Sequence, residues 1–316
     1  MPEPALIDIA PDREEFLADV VSGLLASPKT LPSKYLYDER GSHLFDEICN
    51  LDEYYLTRTE LQIMEQYAGE MATAVGSKAV LIEYGSGSSL KTGRLLEQLD
   101  SPAACVLVEI SLEHLKNSAS RLAAEHPGLK VVPVCADFTQ PFDIPDLPAD
   151  AGRRVVYFPG STIGNFSAFA AQELLTEIAS QAGPGGGLLI GVDLLKSPEI
   201  LKPAYNDREG VTASFNMNLL ERINRELKAD FDLGAFHHEG RFNAEQSRME
   251  MHLVSEKEQT VTIGEAQISF AAGETIHTEN SCKFTPASFL ALARPAGWQM
   301  RDLWTDPAGW FGVVVL

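Results

Sequence analysis

Residues 79–92, AVLIEYGSGSSLKT, constrain the fold more than any other stretch of the chain. An apolar run ends in Glu83. The turn Gly85-Ser86-Gly87-Ser88-Ser89 follows at once, and then LKTGRLLEQL, whose apolar spacing is helical. The reading is a strand, a tight turn and the opening of a helix. Glycine lets backbone approach a ligand closely, and a helix N-terminus favours negative groups. A strand-to-helix turn needs glycine in any case, so this turn alone does not establish a nucleotide site.

The segments that follow strengthen the reading. A second apolar run, CVLVEIS, carries Glu109 at its end, 22 residues after Gly87. An acid at this place in a nucleotide-binding α/β unit hydrogen-bonds ribose hydroxyls. A third run, VVPVCADF, ends in Asp137-Phe138, an acid and an aromatic that suit an adenine amino group and its ring face. A fourth, RVVYFPGSTIGNF, ends in a polar loop with glycines. Open α/β sheets bind ligands at the carboxyl ends of their strands. Four successive strand ends of this kind exceed what strand-end polarity by itself explains.

The dinucleotide fingerprint asks for G-x-G-x-x-G/A, but here the third small residue is absent. Glu83, two residues before the first glycine, would repel a phosphate and suit a cation. The pattern E-x-G-x-G, an acid, Asp-Phe and a polar loop resembles the class I S-adenosylmethionine-dependent methyltransferases. That resemblance implies a Rossmann-like α/β sheet with S-adenosylmethionine as cofactor.

Composition narrows the partners. The chain has 316 residues, a hydrophobic fraction of 45% and a formal net charge of −20. That charge argues against nucleic acid or an anionic membrane as partner. No apolar run is long enough for a transmembrane helix, and the acidic start MPEPALIDIAPDREEF does not read as a secretory signal. Cys49, Cys105, Cys135 and Cys282 fit no zinc or CxxC spacing, so cytoplasm is the expected compartment and no metal site is expected. His237-His238 reads as a solvated pair in a loop.

Residues 12–27, 43–50 and 58–75 carry helical spacing, and the α/β region runs from about 79 to 196. Its fifth strand is GGLLIGVDLL. The last helix (PASFLALARPAG) and terminal hairpin (WQMRDLWTD and GWFGVVVL) of a class I sheet appear only at the chain end. Between them stands an insert: a helix in VTASFNMNLLERINRELKADF, then RMEMHLVS, EQTVTI, AQISF and ETIHTEN, which read as a small antiparallel sheet. An insert beside a cofactor domain is a natural place for substrate recognition. The organisation expected is a methyltransferase domain, 61–196 plus 286–316, and a smaller α+β substrate domain, 1–60 plus 197–285.

Four stretches, YLYDERGSHLFDEICNLDEYYLTRTE, EYGSGSSLKT, FPGSTIGNF and IHTENSCKF, together resemble the L-histidine Nα-methyltransferases of ergothioneine biosynthesis, over nearly the whole chain. The resemblance implies trimethylation of the histidine α-amine to hercynine. It implies that Tyr37 meets the substrate amine, and that Tyr54, Asn165 and Tyr205 hold its carboxylate. Glu279 and Ser281 would hold the imidazole, with Met251 lining that pocket. Glu83, Gly85, Gly87, Lys91, Glu109, Asp137 and Phe138 would line the cofactor site. The family's ribose acid is commonly aspartate, so Glu109 is a departure that changes reach and not chemistry. Taken singly, Tyr37, Tyr54 and Tyr55 read as packing residues, Met249 and Met251 as core filling and Glu279 as a solvated acid.

Competing readings are weaker. A tryptophan Nα-methyltransferase would want apolar or aromatic partners for indole where Glu279 and Met251 stand. A nicotinamide-dependent dehydrogenase conflicts with Glu83 and the missing glycine. A catalytically silent adenosylmethionine-binding regulator would have no use for Tyr37, Tyr54, Asn165 and Tyr205 together.

Overall fold

A computed structural model describes residues 6–9, 11–87, 89–144 and 147–316; Ser88 of the glycine turn lies outside the described residues. In chain order the elements begin with strand β1 (Ile7–Ile9), helix α1 (Arg13–Leu25), strand β2 (Lys29–Thr30) and helices α2 (Glu39–Ile48) and α3 (Tyr55–Val75). The alternating region is β3 (Val80–Tyr84), α4 (Leu90–Leu96), β4 (Ala104–Glu109), α5 (Leu112–Glu125), β5 (Lys130–Ala136), β6 (Arg154–Phe158), α6 (Ala168–Ala182) and β7 (Gly187–Asp193). Next come α7 (Pro198–Leu201), α8 (Val211–Leu227), β8 (Phe236–Asn243), β9 (Arg248–Ser255), β10 (Gln259–Ile263), β11 (Ala266–Phe270) and β12 (Thr275–Cys282). Helix α9 (Pro286–Ala293) and strands β13 (Asp302–Thr305) and β14 (Phe311–Val315) close the chain. Contacts divide it into two compact units. One holds Leu56–Lys196 and Cys282–Leu316 with strand β1, and the other holds Pro11–Tyr55 and Ser197–Ser281.

The first unit is built on an eight-stranded sheet of order β1-β5-β4-β3-β6-β7-β14-β13. Strands β3 to β7 pair in parallel, and β14 runs antiparallel to β7. Strands covered on both faces read as continuous apolar runs. Every residue of β3, β4 and β7 is buried, which is why their sequences carry almost no alternation. The order turns back at β3, so β4 and β6 flank it and its carboxyl end is a topological switch point. Helix α9 and the hairpin of β13 and β14 complete the sheet from the chain end. This is the class I methyltransferase fold. Strand β1, only three residues long, adds a parallel edge to β5 that the sequence pattern did not reveal.

The second unit carries a four-stranded sheet of order β2-β12-β9-β8 and a separate two-stranded hairpin of β10 and β11. The expectation of one small antiparallel sheet therefore needs correction. EQTVTI and AQISF pair with each other, and β2 joins β12 in parallel. His237 and His238 also lie in strand β8, paired with β9, and not in a loop. Only Phe236 of that strand is buried outright, so it shows no apolar alternation to read. Helix α8 buries Phe215, Leu219, Leu220, Ile223 and Leu227 together with Asn216 and Asn218. Among the described residues no helix is long and apolar enough to cross a membrane.

Candidate active site

The residues expected to line a cofactor site gather in the first unit at the carboxyl ends of its strands. Gly85 and Gly87 have φ of +69° and +43°, a backbone region that side chains rarely adopt, so glycine is favoured at both. A Cβ on Gly85 would meet the Phe138 ring at 3.9 Å, which places that ring beside the turn. Phe138 stacks on Tyr84, with ring centroids 5.3 Å apart, and meets Phe158 edge-on. Glu109 closes the end of β4. Its Oε1 accepts from the amides of Ile110 and Ser111, and its Oε2 accepts from Gly87 N at 3.2 Å. Asp137 Oδ1 accepts from the Thr139 amide and hydroxyl, which fixes that carboxylate at the end of β5.

Glu83 is the most informative of these groups. It is buried, and its Oε2 has no hydrogen-bond partner among the described residues; neither has Ser86 Oγ. Burial pushes the Glu83 carboxyl up to about 8, with Glu109 and Glu60 adding to the rise and Thr92 and Lys91 pulling against it. An orphaned carboxyl oxygen beside a glycine turn asks for a donor or a cation. The strand-end set of Glu83, Glu109 and Asp137, with Lys91, is poor in positive charge. It fits a nucleoside that carries an ammonium and a sulfonium and lacks phosphate, which is the chemistry of S-adenosylmethionine.

Lys91 is held by a residue that sequence reasoning missed. Its Nζ donates to Glu60 Oε2 at 2.5 Å, and the same oxygen accepts from Gly160 N at 2.9 Å. Glu60 is fully buried on the stripe of α3 that also carries Leu56, Ile63 and Met64. An acid at helical spacing among apolar residues is the signal that was available. Gly191, in the interior of β7, makes room for it: a Cβ there would stand 2.4 Å from Glu60 Oε1. Asp193 at the end of β7 is a second buried acid that was missed. It binds Lys196 at 2.5 Å and Lys283 at 2.7 Å. Asn165 ends a 3-10 turn (Thr162–Asn165) after β6, half-buried, behind the left-handed Gly160 and Ser161.

The second unit brings together Tyr37, Tyr54, Tyr205, Met251, Glu279 and Ser281. Glu279 and Ser281 are two apart on β12 and so share a face. The Tyr205 hydroxyl donates to Ser281 Oγ at 2.6 Å, and the Tyr37 hydroxyl reaches Glu279 Oε1 at 3.5 Å. Tyr37 follows a 3-10 turn (Ser33–Leu36) and precedes Asp38, which caps α2 through the Gly41 amide. Asp38 also accepts from Asn218 of α8 at 2.7 Å, which ties this segment down. Phe45 and Phe215 meet the Tyr37 ring edge-on, and Tyr54 meets Tyr205 at 6.5 Å between centroids. Burial raises the Tyr54 phenol well above its ordinary value, so it stays a neutral donor. Met249 and Met251 are both buried in β9.

The model of the family described as "Histidine-specific methyltransferase, SAM-dependent" matches residues 16–316. The chain is 42% identical over 306 residues to the histidine N-alpha-methyltransferase of Mycolicibacterium smegmatis, covering 95% of this chain and 94% of that protein. It is 42% identical over 300 residues to the Mycobacterium tuberculosis protein of the same name, covering 93% and 92%. It is 30% identical to ergothioneine biosynthesis protein 1 of Neurospora crassa, over 88% of this chain and 32% of that larger protein. With that coverage and the glycine turn, strand-end acids and tyrosine cluster in hand, the chain belongs to the histidine-specific, S-adenosylmethionine-dependent methyltransferases.

Proposed function

We propose that the chain methylates the α-amino nitrogen of L-histidine three times in succession to give hercynine, a step of ergothioneine biosynthesis. Beyond family membership, one observation carries the reading: Glu279 and Ser281 share a strand face, and each has a tyrosine hydroxyl against it. A carboxylate and a hydroxyl side by side can accept from one imidazole nitrogen and bond the other. A site built on such polar groups rejects indole or phenyl, which would leave them unpaired. Tyr54 and Asn165 are neutral donors assigned to the substrate carboxylate, Tyr205 is assigned to join them by turning its one O–H from Ser281 to that carboxylate, and Met251 is assigned to the wall of the ring pocket. Glu83, Gly85, Gly87, Lys91, Glu109, Asp137 and Phe138 are assigned to S-adenosylmethionine.

S-adenosylmethionine, held by those residues, would supply an electrophilic methyl on a positive sulfonium, with neutral S-adenosylhomocysteine as the leaving group for attack by the amine. The amine must be neutral to react, and an α-amino group has a pKa of roughly 8. Tyr37 is assigned to orient the amine by accepting from its N–H in the first two rounds; the dimethylated amine of the third has no N–H and is placed by the carboxylate and imidazole anchors. A neutral phenol tolerates the bulk added in each round, which a carboxylate clamp would not. Alignment alone is worth on the order of 7–11 kcal/mol in well-oriented systems, so a strong base is not required. Cys49, Cys105, Cys135 and Cys282 form no disulfide, which suits the cytoplasm. The test is mass spectrometry of the purified protein with S-adenosylmethionine and the twenty amino acids together. Trimethylated histidine is the outcome expected; methylated tryptophan with untouched histidine would overturn the reading.

A further inference from the structure

We propose that Asn216 and His238 are positioning residues for the amino-acid site, an inference that rests on the function proposed above. They belong to a closed circuit of hydrogen bonds within the second unit that begins and ends on β12. Thr278 Oγ1 donates to Asn216 Oδ1 at 2.7 Å. Asn216 Nδ2 stands 2.9 Å from His238 Nδ1 and donates to the His252 carbonyl at 3.1 Å. His238 Nε2 stands 2.8 Å from the Tyr205 carbonyl. The Tyr205 hydroxyl returns to β12 at Ser281 Oγ. Glu279 lies between the two points, one residue after Thr278 and two before Ser281.

The direction of every bond at Asn216 and His238 is fixed by two groups that can only accept. The Tyr205 carbonyl requires a proton on His238 Nε2, and the His252 carbonyl requires the amide nitrogen of Asn216 to face it. The second hydrogen of that nitrogen then meets His238 Nδ1, which serves as acceptor in the neutral ring. Asn216 is fully buried and sits mid-helix in α8, where asparagine is a poor choice unless its side chain is satisfied. Here it makes three bonds, which use both amide hydrogens and the oxygen. Burial also holds His238 below the usual imidazole range, against the Tyr205 carbonyl, Asp207 and Glu239, and His237 helps keep it low. Thr278, Asn216 and His238 need not touch a ligand. The circuit instead sets the distance between the Tyr205 ring and the Glu279–Ser281 face, and so the width of the slot offered to an imidazole.

Glutamine and asparagine separate the two functions of His238, because the glutamine amide nitrogen reaches the place of Nε2 and the asparagine oxygen that of Nδ1. His238→Gln keeps the donor to Tyr205; His238→Asn loses it. Histidine binding is measured by calorimetry at saturating S-adenosylhomocysteine, together with S-adenosylhomocysteine affinity and the melting temperature. His238→Asn is expected to weaken histidine about tenfold, the loss of one buried hydrogen bond, with S-adenosylhomocysteine affinity unchanged. His238→Gln keeps the bond that holds Tyr205 and gives up only the acceptor for Asn216 Nδ2, so it is expected to weaken histidine clearly less than His238→Asn does. Thr278→Val, which opens the circuit at β12 with little change of shape, is expected to behave like His238→Asn and serves if that variant does not fold. Parental histidine affinity in both His238→Asn and Thr278→Val overturns the inference alone. A parallel loss of both ligands with the melting temperature makes the role merely structural and also overturns it. A parent that binds S-adenosylhomocysteine but no histidine overturns the substrate reading first, and the inference with it.

Discussion

The Tyr205 hydroxyl donates to Ser281 Oγ at 2.6 Å, joining a residue assigned to the substrate carboxylate to one assigned to the imidazole. Replacing Tyr205 by Phe keeps the ring and removes the donor. The loss of a hydrogen bond to a charged group costs about 1.5–3 kcal/mol. Histidine kcat/KM should fall roughly 10- to 150-fold while S-adenosylhomocysteine affinity holds. Steady-state kinetics beside calorimetry checks this, and parental kinetics would remove Tyr205 from the substrate site.

With Glu83 assigned to S-adenosylmethionine, binding of that cofactor is expected to depend on pH. Its carboxyl stands at about 8 against an ordinary 4.5, so it is protonated at neutral pH before a ligand arrives. A cationic ligand favours the ionised form and expels that proton. Affinity for S-adenosylmethionine should therefore rise as pH climbs toward 8 and level off above it. Between 4.5 and 8 the folded chain holds more proton at Glu83 than the unfolded chain, so this group lowers stability as pH rises through that window. Calorimetry at pH 7 in buffers of different ionisation enthalpy should find about one proton released at Glu83 per ligand, and Glu83→Gln should abolish that release. Equal proton counts in parent and variant would contradict the assignment.

The pair of Glu60 and Lys91 predicts a stability effect. Glu60→Ala would leave Lys91 and the Gly160 amide without their shared acceptor. Breaking a buried pair costs about 3–5 kcal/mol, and the lower end applies because 17% of the Lys91 side chain is exposed. Urea unfolding should show a drop of about 3 kcal/mol with an unchanged m-value. A loss below about 0.5 kcal/mol, the size of an ordinary surface change, would mean the pair is not holding the turn.

Much of the first unit was legible because parallel strands buried on both faces announce themselves as apolar runs, each ending in a residue with chemistry: Glu83, Glu109, Asp137, and the loop to Asn165. Strands β1 and β2 were not, since three and two residues carry no period. Strand β8 was not, because β9 pairing holds it and not its own apolar face. Asn216 was invisible for another reason, and Glu60, whose apolar neighbours on α3 were the one available signal, was passed over for the same one. A charged or amide residue in a helix is ordinarily solvated, and only tertiary burial shows that these two are not. The substrate roles of Tyr37, Tyr54 and Tyr205 came from the family resemblance, since no spacing in the chain distinguishes them from packing tyrosines.

Histamine tests the carboxylate anchors, because it keeps the imidazole and the amine and lacks only the carboxylate that Asn165, Tyr54 and Tyr205 are assigned to hold. Its kcat/KM should lie at least roughly 10-fold below that of histidine, and Asn165→Ala should narrow the gap between the two by weakening histidine alone. Histamine methylated as efficiently as histidine would refute the carboxylate assignment.

The central claim is that the imidazole is read by Glu279, and competition between histidine and tryptophan on the parent and on Glu279→Ala tests it most directly. The variant loses the main acceptor for the ring N–H and keeps the amine and carboxylate anchors. Histidine kcat/KM should fall by about 1.5–3 kcal/mol, roughly 10- to 150-fold, with S-adenosylhomocysteine affinity unchanged and the preference over tryptophan narrowed. Histidine methylated by Glu279→Ala at the parental kcat/KM would contradict the account and put the imidazole site elsewhere.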